Sequence, residues 1–147
     1  MNGISISLLT LFVVGSVAAQ TSNHTGPETT QKRYTMENCV KKFDVSKAET
    51  TQVGYQYWFV DKNFLDGRTV KMSVVAPHAA THPPHSHAED EIFFVLEGHA
   101  EFFLNGQTKT AGPYTSFYCP PNSKHGIRNV GDTVLKYLVI KKYEAKQ

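Results

Sequence analysis

The chain has only two cysteines in 147 residues, Cys39 and Cys119. A single pair is optional in a domain large enough to bury its own core, so disulfides are not what holds this fold together. A Cys39–Cys119 bridge and two separate thiols both remain open, because bridging needs close Cα atoms that the sequence does not report. Basic runs are missing too, and the net charge is +2. Nucleic-acid binding rests on clustered Lys and Arg, so that class of partner is excluded. No long stretch repeats its apolar residues at a helical period, no segment repeats another, and no glycine-rich nucleotide-binding motif occurs.

Long apolar runs are equally scarce. The one that exists spans residues 4–17 and ends in Val17-Ala18-Ala19, and no charged side chain occurs in residues 1–19. It is short for a membrane span, and its small-residue end reads as a secretory signal peptide cleaved near Ala19. The mature chain is then secreted or periplasmic, with no stable membrane insertion. Residues 20–35 are rich in Thr, Ser, Asn and Gln and read as a flexible tether. Asn23-His24-Thr25 is a glycosylation sequon only in a eukaryotic source. Residues 36–147 form one domain.

What the domain has in quantity is β-forming sequence. Residues 53–60 (VGYQYWFV) carry strong strand propensity, and short strands are predicted over residues 40–45, 69–76, 91–96, 100–104, 107–110, 114–119, 125–130 and 134–140. Asp66-Gly67 and Asn105-Gly106 are turn dipeptides, and Asn-Gly is the stronger hairpin signal. In residues 91–96 the row Glu91, Phe93, Val95 alternates with Ile92, Phe94, Leu96. Both rows are largely apolar, as in a strand packed on both sides. The fold class is all-β, a barrel or sandwich.

The run His82-Pro-Pro-His85-Ser-His87-Ala-Glu-Asp-Glu91 organises the chain. On extended backbone His85 and His87 point to the same face, and Glu91 has matching parity. Imidazole with carboxylate suits Zn, Fe, Mn, Co, Ni or Cu, whereas Ca or Mg would want more oxygens. His125 is the candidate fourth ligand. Three imidazoles and one carboxylate leave coordination positions open, the arrangement of a reactive site rather than a structural one. His82 and His99 are spare, His82 at the mouth and His99 in solvent.

These residues resemble a known family. His85-x-His87-x-x-x-Glu91 followed by Gly98 looks like the first conserved motif of the cupin superfamily, and Pro120-x-Asn122-x-x-His125-x-x-x-Asn129 looks like the second. The second motif usually has glycine where this chain has Asn122, a residue that tolerates the left-handed backbone. Its opening glycine is here Gly112, further upstream than usual. The resemblance covers residues 55–140. It implies a double-stranded β-helix (jelly-roll) barrel, one divalent first-row metal inside one mouth, a small-molecule substrate, and a homodimer formed through sheet edges.

Candidate wall residues are Phe93 and Val95, continuing from Glu91, Ile127 and Asn129, continuing from His125, and Phe102. Tyr57 and Tyr118 are the candidate proton-transfer residues, with Tyr55, Lys71 and Met72 as further wall positions. Three functions compete. The first is a metal-dependent lyase or isomerase of a sugar- or uronate-derived molecule, the second a flavonol- or thiol-type dioxygenase, and the third a non-catalytic carbohydrate-binding or sensing module. Mass spectrometry of exported protein is expected to find a chain starting near Gln20; an intact Met1 start would refute cleavage.

Overall fold

The computed structural model describes residues 34–144. The expected signal peptide, the sequon and residues 20–33 of the expected tether lie outside them. The last tether residue, Thr35, caps helix α1 (Met36–Cys39): its hydroxyl accepts from the Asn38 amide, and the Asn38 side chain accepts from the Thr35 amide. A 3₁₀ turn at Val45–Lys47 follows, capped by Asp44.

Nine strands make up the rest: β1 (Glu49–Thr51), β2 (Gly54–Leu65), β3 (Arg68–Val75), β4 (Glu91–Glu97), β5 (Ala100–Leu104), β6 (Gln107–Ala111), β7 (Ser116–Cys119), β8 (His125–Asn129) and β9 (Leu135–Lys142). They form a six-stranded sheet in the order β1-β2-β3-β9-β4-β7 and a three-stranded sheet in the order β6-β5-β8, and every pairing is antiparallel. The fold is the expected all-β jelly roll. The predicted turns form with left-handed residues, Asp66 (φ 46°) before Gly67 (φ 79°) and Asn105 (φ 47°) before Gly106 (φ 90°).

Strand parity decides which residues face the interior. Val75, Phe93, Val95, Cys119, Leu135 and Tyr137 of the large sheet meet Ala100, Phe102 and Ile127 of the small one in a single core. Tyr57, Met72 and Val74 form a second cluster with Tyr55, Phe59, Leu96 and Leu138. This cluster lies on the opposite face of the large sheet, since Tyr57, Met72, Leu138 and Phe94 occupy one cross-strand row. The two clusters explain why both rows of β4 are apolar.

The strand predicted at residues 40–45 is not formed. Lys42 and Phe43 instead anchor the segment over the outer cluster: the Tyr57 hydroxyl donates to the Lys42 carbonyl at 3.0 Å, and the Phe43 ring packs edge-on against Tyr57 and stacks on Tyr55. The residues pack by side chains rather than joining a ladder.

The closed end of the barrel depends on Asn129, which is fully buried. Its amide nitrogen lies 3.1, 3.0 and 2.8 Å from the carbonyls of Val75, Ala76 and Thr133, and its carbonyl accepts from the Gly131 amide. One side chain thus ties β3, β8 and the turn before β9 together. Removing it strands several buried backbone groups. Asn129→Ala is expected to lower unfolding free energy by about 2–4 kcal/mol in urea titrations; a loss near zero would contradict this role.

Candidate metal centre

The two halves of the site are joined through backbone. The His85 amide donates to the His125 carbonyl at 3.0 Å, and the His125 amide donates to the His85 carbonyl at 2.9 Å. Such a reciprocal pair sets two residues directly opposite with side chains on one face. The other edge of β8 pairs His125 with Leu104, so His85 extends the small sheet by one residue. Asn122 (φ 59°) turns the chain where a glycine is usual, and its amide donates to the His87 carbonyl at 2.8 Å. The loop bearing His85 and His87 is therefore pinned to the segment bearing His125. Glu91 approaches from the opposite sheet, at the start of β4, with its carboxylate buried.

One ring nitrogen each of His85, His87 and His125 lies within 4.8 Å of the other two. Glu91 Oε1 is 2.9 Å from His125 Nε2 and 3.7 Å from His87 Nε2. The tautomers follow from the backbone. His87 Nδ1 donates to the Glu89 carbonyl at 2.7 Å, and His125 Nδ1 donates to the Ser123 carbonyl at 2.8 Å. A neutral ring so held turns a bare Nε2 inward. Both inner nitrogens converge on a carboxylate oxygen, an arrangement that a cation among them would satisfy. His85 Nδ1 and His87 Nε2 are also buried without a hydrogen-bond partner, and an ion held between the rings would supply one. Two donors about 2.1 Å from one ion at right angles stand roughly 3 Å apart, as His125 and Glu91 do here. His85, His87, Glu91 and His125 thus fit a first-row divalent metal.

Electrostatics agree with that reading. Burial, and then the neighbouring His82, His125 and His87, hold His85 below the usual imidazole range, which keeps it in the neutral ligating form. Lys141 stands directly across the ladder from Glu91, and its ammonium lies 3.5 Å from Glu89 Oε2 and over the Tyr143 ring. On the other side of Glu91 in the ladder is Cys119. Burial, with Glu91 adding to it, pushes the Cys119 thiol up to about 12. Cys39 is exposed and both cysteines are free, so no disulfide joins them.

The interior row continues as expected with Phe93, Phe102 and Ile127. The Phe93 ring centroid is 6.3 Å from that of His125, and Phe117 lies against both Phe93 and Phe102. A groove of about 490 Å³ lies beyond this aromatic wall, lined by Phe102, Leu104, Lys109 and Phe117 among others; none of the four ligands lines it. His82 packs edge-on against His85 at 4.4 Å and is exposed, at the mouth, while His99 is exposed.

Four candidate residues are corrected. Tyr57 and Tyr118 face away from the site. Tyr57 belongs to the outer cluster, and Tyr118 shares the outward row of Ile92 and is 51% exposed. Each has the parity opposite to the candidate ligands, so neither points into the space between them. Val95 and Asn129 have the right parity but lie too deep: both are fully buried in the closed end, and Asn129 spends its polar atoms on backbone.

Several inward polar residues escaped the sequence reading. Tyr137 is buried, with Ser73 and Thr81 hydroxyls as partners, and burial raises its phenol above the usual range. Lys141, Gln56 and Trp58 also point inward. The signal was parity within apolar strands, since Tyr137, Val139 and Lys141 alternate along β9.

If these residues hold a metal, the ion links both sheets. A divalent ion at one hundred times its Kd is then expected to stabilise the protein by about 2.7 kcal/mol. His87→Ala or Glu91→Gln should lose most of that gain and most of the bound metal, whereas His99→Ala should keep both. Equal metal content and equal stabilisation in His87→Ala and the wild type would contradict the ligand set.

Comparison with known proteins agrees with the geometry. No curated protein sequence matches the chain. Among solved structures it is similar to the polyketide cyclase RemF from Streptomyces resistomycificus, with TM-score 0.60 and 23% identity over 74% of this chain and 82% of that one. It is also similar to a predicted oxalate decarboxylase from Thermotoga maritima, with TM-score 0.57 and 21% identity over 60% and 78%. KdgF from Halomonas sp. aligns with TM-score 0.53 and 19% identity over 61% and 79%. Identities this low speak to the fold alone. Residues 71–141, which contain all four ligands, match the family model of the cupin domain, and the chain belongs to the cupin superfamily.

Proposed function

We propose that this is an exported metal-dependent lyase or isomerase acting on a small carboxylated sugar derivative, such as an unsaturated uronate. The observation that carries the reading is Lys71. It shares the inward row of β3 with Thr69 and Ser73, opposite Val139, which in turn faces Phe93 across the ladder. Its ammonium donates to Gln56 Oε1 at 3.2 Å and lies 5.2 Å from the Trp58 ring centroid, and no carboxylate of the described residues comes within ion-pair distance. Burial, the largest influence, holds it below the usual lysine range. A half-buried cation that feels Glu91 and Glu49 only from beyond ion-pair distance gains from an anionic substrate group.

The support around Lys71 is pre-built. The Gln56 amide donates to Glu49 Oε2 at 2.7 Å, and Trp58 Nε1 donates to the same oxygen at 3.3 Å. Glu49 thereby fixes which way the Gln56 amide points and holds the Trp58 ring beside the Lys71 ammonium. Lys71 stands two strands from β4, roughly 10 Å, a span that a five- or six-carbon acid can bridge with its carboxylate on Lys71 and its carbonyl or hydroxyl toward Glu91 and the imidazoles. The Tyr137 hydroxyl, kept protonated by burial, can donate to a developing oxyanion. A bound divalent metal supplies Lewis acidity at that carbonyl or hydroxyl. Proton transfer without oxygen chemistry then suffices, and the names of two similar structures, a predicted oxalate decarboxylase and a polyketide cyclase, are in keeping with it.

The aromatic wall of Phe93, Phe102 and Phe117 favours a second reading, a dioxygenase. An oxygen electrode run beside a product assay, with Zn, Ni, Mn and Fe in turn, separates the two. Product without oxygen uptake, including with Zn, supports the lyase–isomerase. Uptake that tracks product, with Fe or Ni active and Zn silent, would overturn it. Sugar binding that survives chelation, with no turnover on any metal, would instead favour a binding module. The proposal includes a homodimer through sheet edges, which sedimentation would test. Lys71→Met is expected to raise KM for a carboxylated substrate roughly 10–100-fold and to leave a neutral analogue unaffected; equal effects on both would remove Lys71 from the anion subsite.

A further inference from the structure

At the level of the metal centre the interior of the large sheet is a polar rung. Cys119 (β7), Glu91 (β4), Lys141 (β9) and Thr69 (β3) stand side by side across four strands. All four are buried. The next rung inward is Phe117, Phe93 and Val139, with Lys71 at its far end. Cys119 therefore sits where the hydrophobic core meets the polar rung, directly beside Glu91. One donor atom each of Glu91, Cys119 and His125 lies within 4.8 Å of the other two. Two donors on opposite sides of one ion are at most about 4.5 Å apart, so a small rotation of the thiol brings sulfur into range. Glu91 and His125 are common to this group and to the imidazole cluster.

We propose that Cys119 Sγ is a fifth protein donor, giving the centre a mixed nitrogen, oxygen and sulfur set. This rests on the metal reading above. On binding, the thiol proton is released to solvent as the sulfur–metal bond forms, with no change of oxidation state. A thiolate beside three imidazoles selects zinc, cobalt, nickel or copper over manganese, and with five protein donors an octahedral ion keeps one position for substrate.

The test is cobalt(II) added to metal-free full-length protein, comparing wild type, Cys119→Ala, Cys119→Ser and Cys39→Ala by absorption spectroscopy. Wild type and Cys39→Ala are expected to show a sulfur-to-cobalt charge-transfer band together with cobalt d–d bands. Cys119→Ala and Cys119→Ser should lose the charge-transfer band and keep d–d bands, which also shows that the altered protein is folded around its site. A wild-type protein with d–d bands and no charge-transfer band would overturn the sulfur donor and leave the histidine–glutamate centre standing. A charge-transfer band retained in Cys119→Ala but lost in Cys39→Ala would assign it to the wrong thiol and equally overturn the proposal. Absence of both bands from wild type would refute the metal centre and the sulfur donor together.

Discussion

Two main-chain hydrogen bonds between His85 and His125 are what the rest of the site depends on. They convert two segments forty residues apart in sequence into one rung of sheet and aim both imidazoles at the carboxylate of the facing sheet. The carbonyls of Glu89 and Ser123 then choose the tautomers of His87 and His125. Backbone performs the positioning, so the loop that carries His85 and His87 borrows the rigidity of the ladders to which it is pinned. The result is a cluster of ring nitrogens and a carboxylate that could hold a cation, assembled by elements that keep their places through their own hydrogen bonds.

The barrel divides its labour by depth. The closed end is held by Asn129 and filled by Val75, Val95, Ala100 and Leu135. An aromatic layer of Phe93, Phe102 and Phe117 follows, and the metal-level rung of Cys119, Glu91, Lys141 and Thr69 lies at the open side. The low dielectric of the layers beneath strengthens every charge interaction at that rung. The same burial makes Lys71 and Tyr137 unusual, because polar groups facing a core must be partnered or be waiting for a partner. Outside the large sheet, Phe43 and Tyr57 close the second cluster, which leaves the interior face free for chemistry.

Much of this was legible in the sequence because spacing and parity encode it. His-x-His places two rings on one face of extended chain, and the Asp-Gly and Asn-Gly turns fixed the hairpins through residues that accept positive φ. Asn122 adopts the left-handed turn for the same reason. Gly98 ends β4 with φ 85°, where a side chain would collide with the Val134 carbonyl. What the sequence hid is set by three-dimensional register. Tyr57 and Tyr118 are attractive acid–base residues by type, yet one residue of parity carries each to the outer face. Asn129 looks like a pocket residue by spacing, yet its neighbours in space are carbonyls from β3 and from the turn before β9. The pairing of Cys119 and Lys141 with Glu91 depends on which strands are adjacent, and adjacency in a jelly roll is not sequential.

The claim that His85, His87, Glu91 and His125 form one metal centre is tested most directly by anomalous diffraction. Crystals of the metal-loaded protein would be measured on either side of the absorption edge of the added ion. The account predicts a single strong anomalous peak about 2.0–2.2 Å from one nitrogen of each of the three imidazoles and from a Glu91 oxygen. A peak elsewhere, or one bonded to fewer than three of these side chains with a histidine ring turned away, would contradict it.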